Sequence, residues 1–201
     1  QRQYHDKPPW ALSGQLRRAL LFLRDVLQAC PPRTIPMSSA PLPPLVIASD
    51  GRLDESAPPS VAVLVFDPVS GVRRGVVAVL SSELMAAWGG DQETLICHVE
   101  QAAVLLGLLT WPALFASRDA YWFEDNSVVL SGLCRGGSRT ALLDQGVAVV
   151  HLVLARLRAR VWFEYVESHA NWSDGASRLL LLDPWSAHHG FQLATGDVPS
   201  W

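Results

Sequence analysis

Two kinds of hydrophobic periodicity divide this chain. Leu12, Leu16, Ala19, Leu20, Leu23, Val26 and Leu27 recur at three- and four-residue steps, the spacing of an amphipathic helix. Cys30-Pro31-Pro32 ends that helix, since proline supplies no amide hydrogen and its ring clashes with the preceding turn. Residues 36–44 are rich in proline and read as an extended linker. Beyond them the apolar runs shorten: residues 45–49, 61–66 and 74–80 predict three strands. The turn-like segment 51–60 and the strong turn signals of Asp67-Pro68-Val69-Ser70-Gly71 join these strands as an antiparallel meander. Helical spacing returns over residues 91–110 and breaks at Trp111-Pro112, with a shorter helical piece after it. A strand over 121–125, a long helix over 141–158, a strand over 161–166 and a closing helix around 173–182 follow. Three strands and then alternating helices and strands predict a mixed α/β domain with helices on its sheet. The expected organisation is an arm, helix and linker over 1–40, the main domain over 41–183 and a tail over 184–201.

Hydrophobic residues make up 49% of the 201 and charged ones 17%, so part of the surface is expected to lie against another domain. No run is expected to reach the length and purity of a membrane span, because Arg, Asp, Gly or Pro interrupts each apolar stretch. With Gln1 first and no charged, hydrophobic leader, the sequence reads as an excised segment of an intracellular protein, in cytoplasm or nucleus and not secreted. Cys30, Cys97 and Cys134 are odd in number and lack CxxC spacing, which favours reduced core thiols over disulfides or zinc. The net charge of −3 does not advertise a nucleic-acid binder, although Lys7 is the only lysine and arginine suits phosphate contact.

Four acids stand at informative places. Asp50 closes the first strand, Glu100 interrupts an otherwise apolar helix, Asp125 closes the aromatic strand Tyr121-Trp122-Phe123-Glu124, and Asp174 opens the closing helix. Side chains at the carboxyl ends of neighbouring parallel strands converge. Carboxylates gathered together stay ionised only beside cations, which implies a hard, oxygen-seeking ion such as Mg²⁺, with Mn²⁺ as a substitute. That arrangement suits two-metal phosphodiester hydrolysis. Three of these acids also have a structural reading: Asp50 as a turn former before Gly51, Glu100 as the partner of an arginine, and Asp174 as an acid at a helix N-terminus. Glu124 rivals Asp125, but strand alternation places the two on opposite faces.

The motifs around these acids resemble the ribonuclease H domain that follows reverse transcriptases in retroelements and pararetroviruses. Ser49-Asp50-Gly51 matches the "(T/S)DG" ending its first strand, and His98-Val99-Glu100-Gln101-Ala102 looks like its metal-binding helix segment. Phe123-Glu124-Asp125-Asn126-Ser127 resembles the "DN" close of its fourth strand, and residues 166–178 resemble its "S-x-x-N-x-x-D-G-x-S-R" close. The resemblance covers roughly residues 45 to 183. It implies a ribonuclease H-like fold with a five-stranded mixed sheet, and hydrolysis of the RNA strand of RNA–DNA hybrids giving 5′-phosphate and 3′-hydroxyl ends. Asp50, Glu100, Asp125 and Asp174 are then the catalytic, metal-holding set for two Mg²⁺ ions, with Asp50 shared between them. The N-terminal helix and residues 31–36 look like the connection between a polymerase thumb and its nuclease, which implies an attached polymerase domain. A catalytically silent scaffold of the same fold, or a resolvase- or integrase-type nuclease, remains an alternative.

For substrate contact, Asn126, Ser127 and Arg178 offer amide, hydroxyl and guanidinium groups. The glycine-rich residues 132–138, Gly137 and Ser138 among them, read as a turn whose amides could hold a phosphate at the start of the long helix. His169 is a candidate accessory group before the last acid, with a plain surface loop as its other reading; His98 reads as a satisfied helix histidine, and His188 and His189 as tail residues.

Overall fold

The computed structural model describes residues 13–29 and 42–198, in two separate units split between residues 35 and 36. In the first, helix α1 (Gly14–Ala29) begins at Ser13, whose hydroxyl oxygen accepts the Leu16 amide at 3.1 Å. Leu16, Leu20, Leu23 and Leu27 along it are exposed. The Cys30-Pro31-Pro32 stop and most of the proline-rich linker lie outside the described residues.

The second unit is built on strands β1 (Leu45–Arg52), β2 (Ser60–Phe66), β3 (Arg73–Val79), β4 (Asp119–Glu124), β5 (Arg160–Tyr165) and β6 (Gln192–Thr195), in the spatial order β5-β4-β1-β2-β3-β6. The meander is as expected: β1 runs antiparallel to β2 with Asp50 opposite Ala62, and β2 antiparallel to β3 with Val63 opposite Val76. Strands β4 and β5 add in parallel, with Ala48 opposite Phe123 and Trp122 opposite Phe163. The turn expected after β2 forms around Asp67, whose carboxylate accepts from the Val69 amide and the Ser70 hydroxyl. Arg118 binds the same carboxylate at 2.9 Å and ties the start of β4 to that turn.

Near-continuous burial of β1 and β2 means that both sheet faces are covered. On one face lies α3 (Gln92–Thr110), followed by the short α4 (Pro112–Phe115); α3 is buried on every side from Cys97 to Leu108 between the sheet and α6 (Ala141–Leu157). By length and composition alone α3 could cross a membrane, contrary to the expectation that no run would; here it is the core helix, most of it buried. On the other face, α7 (Asp174–Leu179) packs on β1 and β2.

The sequence reading differs from the structure at five further places. The sheet has six strands, not five, because the presumed tail forms α8 (Pro184–His188) and β6, which pairs in parallel with β3. Phe191 closes a small second core there with Ala62, Leu64, Val77 and Ala176. Helix α2 (Ser82–Trp88) was too short for its period to show; the Ser81 hydroxyl caps it. Residues 127–135 form helix α5 (Ser127–Arg135), so Gly132 lies within a helix and the turn starts only at Gly136. Cys134 is an exposed free thiol, whereas Cys97 is a buried one as expected. Finally, β1 continues through Gly51 and Arg52, so Asp50 lies inside the strand and not at its end.

Candidate metal centre

The carboxyl ends of β1 and β4 lie side by side, and α3 crosses behind them. This brings Asp50, Glu100 and Asp125 together with one carboxylate oxygen from each, all within 4.8 Å of one another. Asp50 and Glu100 are each 5% exposed. Burial, together with the charges of Asp125 and Asp174, pushes the Asp50 carboxyl up to about 7, against the lowering effect of the Ser177 hydroxyl and Arg178. Burial likewise raises Glu100 well above the ordinary carboxyl range, with Glu124, Asp50 and Asp125 adding to it and the Gly51 amide opposing it.

Gly51 shows why the motif needs a glycine after Asp50. A Cβ at this position would lie 2.8 Å from the Glu100 amide nitrogen and 2.9 Å from Val99 Cγ1. Helix α3 therefore approaches β1 as closely as backbones allow, and the Gly51 amide donates to the Glu100 carboxylate across the contact. Gly51→Ala will push α3 off the strand, costing about 1–3 kcal/mol as an overpacked contact does. It will also weaken divalent-ion binding by separating Glu100 from Asp50, which denaturation and metal titration of the same variant will show.

Asp174, the fourth expected acid, opens α7 one step outside this group. Its Oδ1 accepts a hydrogen bond from Arg178 Nε at 2.9 Å, and Nη2 of the same guanidinium approaches it as an ion pair at 2.9 Å. The docking of α7 explains the closing motif residue by residue. Asn171 Nδ2 donates to the Ser49 carbonyl at 2.9 Å, and the Ser177 side chain reaches Asp50. The carbonyls of Ser177 and Arg178 are held by Ser60 Oγ at 2.6 Å and by Arg52 Nη1 at 3.2 Å. Arg52, missed in the sequence, is itself fixed by Asp54 and Ser56.

Glu124 is the other residue missed. It is fully buried, in line with Ala120 and Trp122 on the buried side of β4. Its Oε2 accepts from Ser49 Oγ at 2.9 Å, and that hydroxyl oxygen in turn accepts from Trp122 Nε1 at 2.7 Å. Burial holds its carboxyl well above the usual range, and it is the largest electrostatic neighbour of Glu100. The pairing of β1 with β4 could have revealed it, since Ser49 and Glu124 each follow the last paired residues, Ala48 and Phe123.

The remaining candidates divide. Asn126 caps α5, its Oδ1 accepting the amides of Val128 and Val129, and its side chain meets Cys97; Ser127 is exposed next to it. The phosphate cradle is corrected: the Gly137 amide donates to the Gly132 carbonyl and the Ser138 amide to Asp144 Oδ1 at 2.9 Å, so both donors are used within the protein. An acidic side chain lies where an anion was expected. His169 is exposed in a turn over Ser168–Ala170 with Glu167 3.7 Å away, and it does not join the acid group. His98 is buried and stacked on Trp88, and burial lowers its pKa; His189 stacks on Trp185.

The donor set fits a hard divalent cation: every ligand atom is a carboxylate oxygen. Glu100 Oε2 and Asp125 Oδ1 are buried with no hydrogen-bond partner, an arrangement costly for a protein unless a cation completes it.

No protein-family model and no curated protein matches the chain. Solved structures do. A ribonuclease H1 isolated from compost by a metagenomic approach superposes over 67% of this chain and 90% of its own, at TM-score 0.52 and 11% identity. Ribonuclease H1 of the halophilic archaeon Halobacterium salinarum covers 62% and 86% at TM-score 0.44 and 13% identity. The N-terminal ribonuclease H domain of a Mycobacterium tuberculosis protein covers 63% and 84% at TM-score 0.45 and 16% identity. The fold of the second unit is thus ribonuclease H-like, with the first three strands antiparallel and helices on both faces.

Proposed function

We propose that the chain is a metal-dependent nuclease that hydrolyses the RNA strand of RNA–DNA hybrids, as the ribonuclease H part of a retroelement- or pararetrovirus-type reverse transcriptase. The observation that carries this reading is the convergence of Asp50, Glu100 and Asp125 with two buried, unpartnered acid oxygens on a ribonuclease H-like fold. The motifs at Asp50, Asp125 and residues 166–178 support the retroelement context, and an attached polymerase domain is part of the same proposal.

Two Mg²⁺ ions, or Mn²⁺ in their place, would be held by Asp50, Glu100, Asp125 and Asp174, and would supply activation of water and stabilisation of charge on the leaving oxygen. The chain's own part is to hold these acids in place. Gly51 lets Glu100 reach Asp50, Asn126 caps the helix after Asp125, and Asn171, Ser60 and Arg52 fasten the helix that carries Asp174. In the net reaction a P–O3′ bond of the RNA breaks, the water oxygen joins phosphorus, and a proton goes to the 3′ oxygen. No side chain need be a strong base.

The test is incubation of labelled RNA–DNA hybrid with the protein and Mg²⁺ or Mn²⁺, beside RNA duplex and DNA duplex. Cleavage confined to the RNA of the hybrid and dependent on metal is expected. Equal cleavage of DNA duplex would point to a resolvase- or integrase-type nuclease. Lack of both cleavage and metal binding would leave a scaffold, a reading favoured by the Arg178 side chain that already neutralises Asp174.

A further inference from the structure

Among the described residues near the acids, Arg178 is the cation that faces two of them. Its guanidinium grips Asp174 through two nitrogens, and its charge is felt by Asp50. Its backbone cannot shift easily, because the Arg178 carbonyl is bonded to Arg52 and the preceding one to Ser60. Its side chain can: it is 57% exposed, against 35% for Asp174. A fixed backbone under a free, charged side chain is the arrangement of a counterion that can change partners.

We propose that Arg178 exchanges partners, releasing Asp174 to a divalent cation and taking a phosphate of the hybrid, so that metal occupancy and substrate binding are coupled through this one side chain. This inference rests on the nuclease reading and assigns Arg178 a task within it. The physical reason is charge. Asp174 Oδ1 is paired with Arg178, so a cation that takes this carboxylate competes with the guanidinium for its charge. Once displaced, the guanidinium sits beside a dication that repels it. A substrate phosphate is then an anion of the right geometry, since a guanidinium fork matches phosphate oxygens as well as it matches a carboxylate. Asp54 does not serve as the alternative partner, being held by Arg52 and Ser56.

The experiment compares wild type, R178A and R178K by calorimetric titration with Mn²⁺ in the absence of nucleic acid, and by steady-state cleavage of hybrid. Removing an exposed competing ion pair should tighten Mn²⁺ binding in R178A by about threefold. Losing a charged hydrogen bond to phosphate should raise KM for hybrid about tenfold or more, with kcat changed far less. The dependence of KM on salt should also weaken by about one phosphate contact. R178K should recover part of the KM, having the charge without the fork. Weaker Mn²⁺ binding in R178A would overturn the proposal, because Arg178 would then support the acids and not compete for them. Unchanged Mn²⁺ affinity with an active wild type would overturn the exchange alone. A wild type that binds Mn²⁺ but leaves hybrid intact would overturn the nuclease reading and the phosphate half of the exchange with it.

Discussion

Asp125→Asn will abolish hybrid cleavage while making the metal-free protein more stable at neutral pH. The two effects have one origin. Asp125 stands next to Asp50 and Glu100 with a buried oxygen that nothing in the protein satisfies. Its charge raises the pKa of Asp50, Glu100 and Glu124 alike, so in the absence of a cation it works against three neighbours. The amide keeps the shape and removes the charge. If divalent cations held here stabilise the transition state by several kcal/mol, losing one of their carboxylates lowers kcat by about a thousandfold or more. Thermal denaturation without metal should show a higher midpoint for the variant at pH 8, and added Mn²⁺ should stabilise it less than wild type. A variant that is inactive and also less stable without metal would mean that Asp125 holds the fold together, and the metal-centre reading would lose its main support.

Much of this site was legible because strands and apolar helices betray misplaced charge. Glu100 is the clearest case: a carboxylate on a helix whose other positions are apolar has few explanations, and the structure finds it 5% exposed against Asp50. The meander, the long helices and the presence of strands β4 and β5 followed from apolar spacing and from strong turn signals such as 67–71. What the sequence concealed was tertiary. Glu124 read as a rival of Asp125 on the opposite face of the strand, since alternation gives the face of a side chain but not what covers that face. Arg52 looked like one more arginine until the Arg178 carbonyl was found against it. The short elements α2, α8 and β6 bury too few residues in line for a period to emerge, and β6 is a strand only because β3 offers it an edge. The phosphate cradle failed for a related reason. A glycine-rich stretch shows where amides can be exposed, but not that Asp144 will reach back and take one of them.

The metal-free protein will lose stability as pH rises from about 4 to 8, and divalent cations will restore it at the alkaline end only. Folding raises the Asp50 carboxyl from 3.8 to about 7. Between those values the folded state binds a proton that the unfolded state has released, so stability falls with pH across that window. The contribution is fully present below about pH 4 and is lost as pH passes about 7. The shift corresponds to something on the order of 4 kcal/mol, which is roughly 10 °C in the midpoint of a domain this size. Glu100 and Glu124, both raised by burial, act in the same direction. Asp67 opposes them at the acid end: Arg118 and Ser70 hold its carboxyl low in spite of burial, so its contribution is lost as pH falls. Metal-free stability should therefore peak in mildly acid solution. A cation needs the ionised carboxylates, so 10 mM Mg²⁺ or Mn²⁺ should raise the midpoint strongly at pH 8 and hardly at pH 5, where protons hold the same oxygens. Denaturation curves at the two pH values, with and without the ion, measure both. Cation stabilisation equal at pH 5 and pH 8 would mean that the ion binds away from Asp50 and Glu100. A metal-free midpoint that rises from pH 5 to pH 8 would mean that the three buried carboxyls do not hold their protons together as this geometry requires.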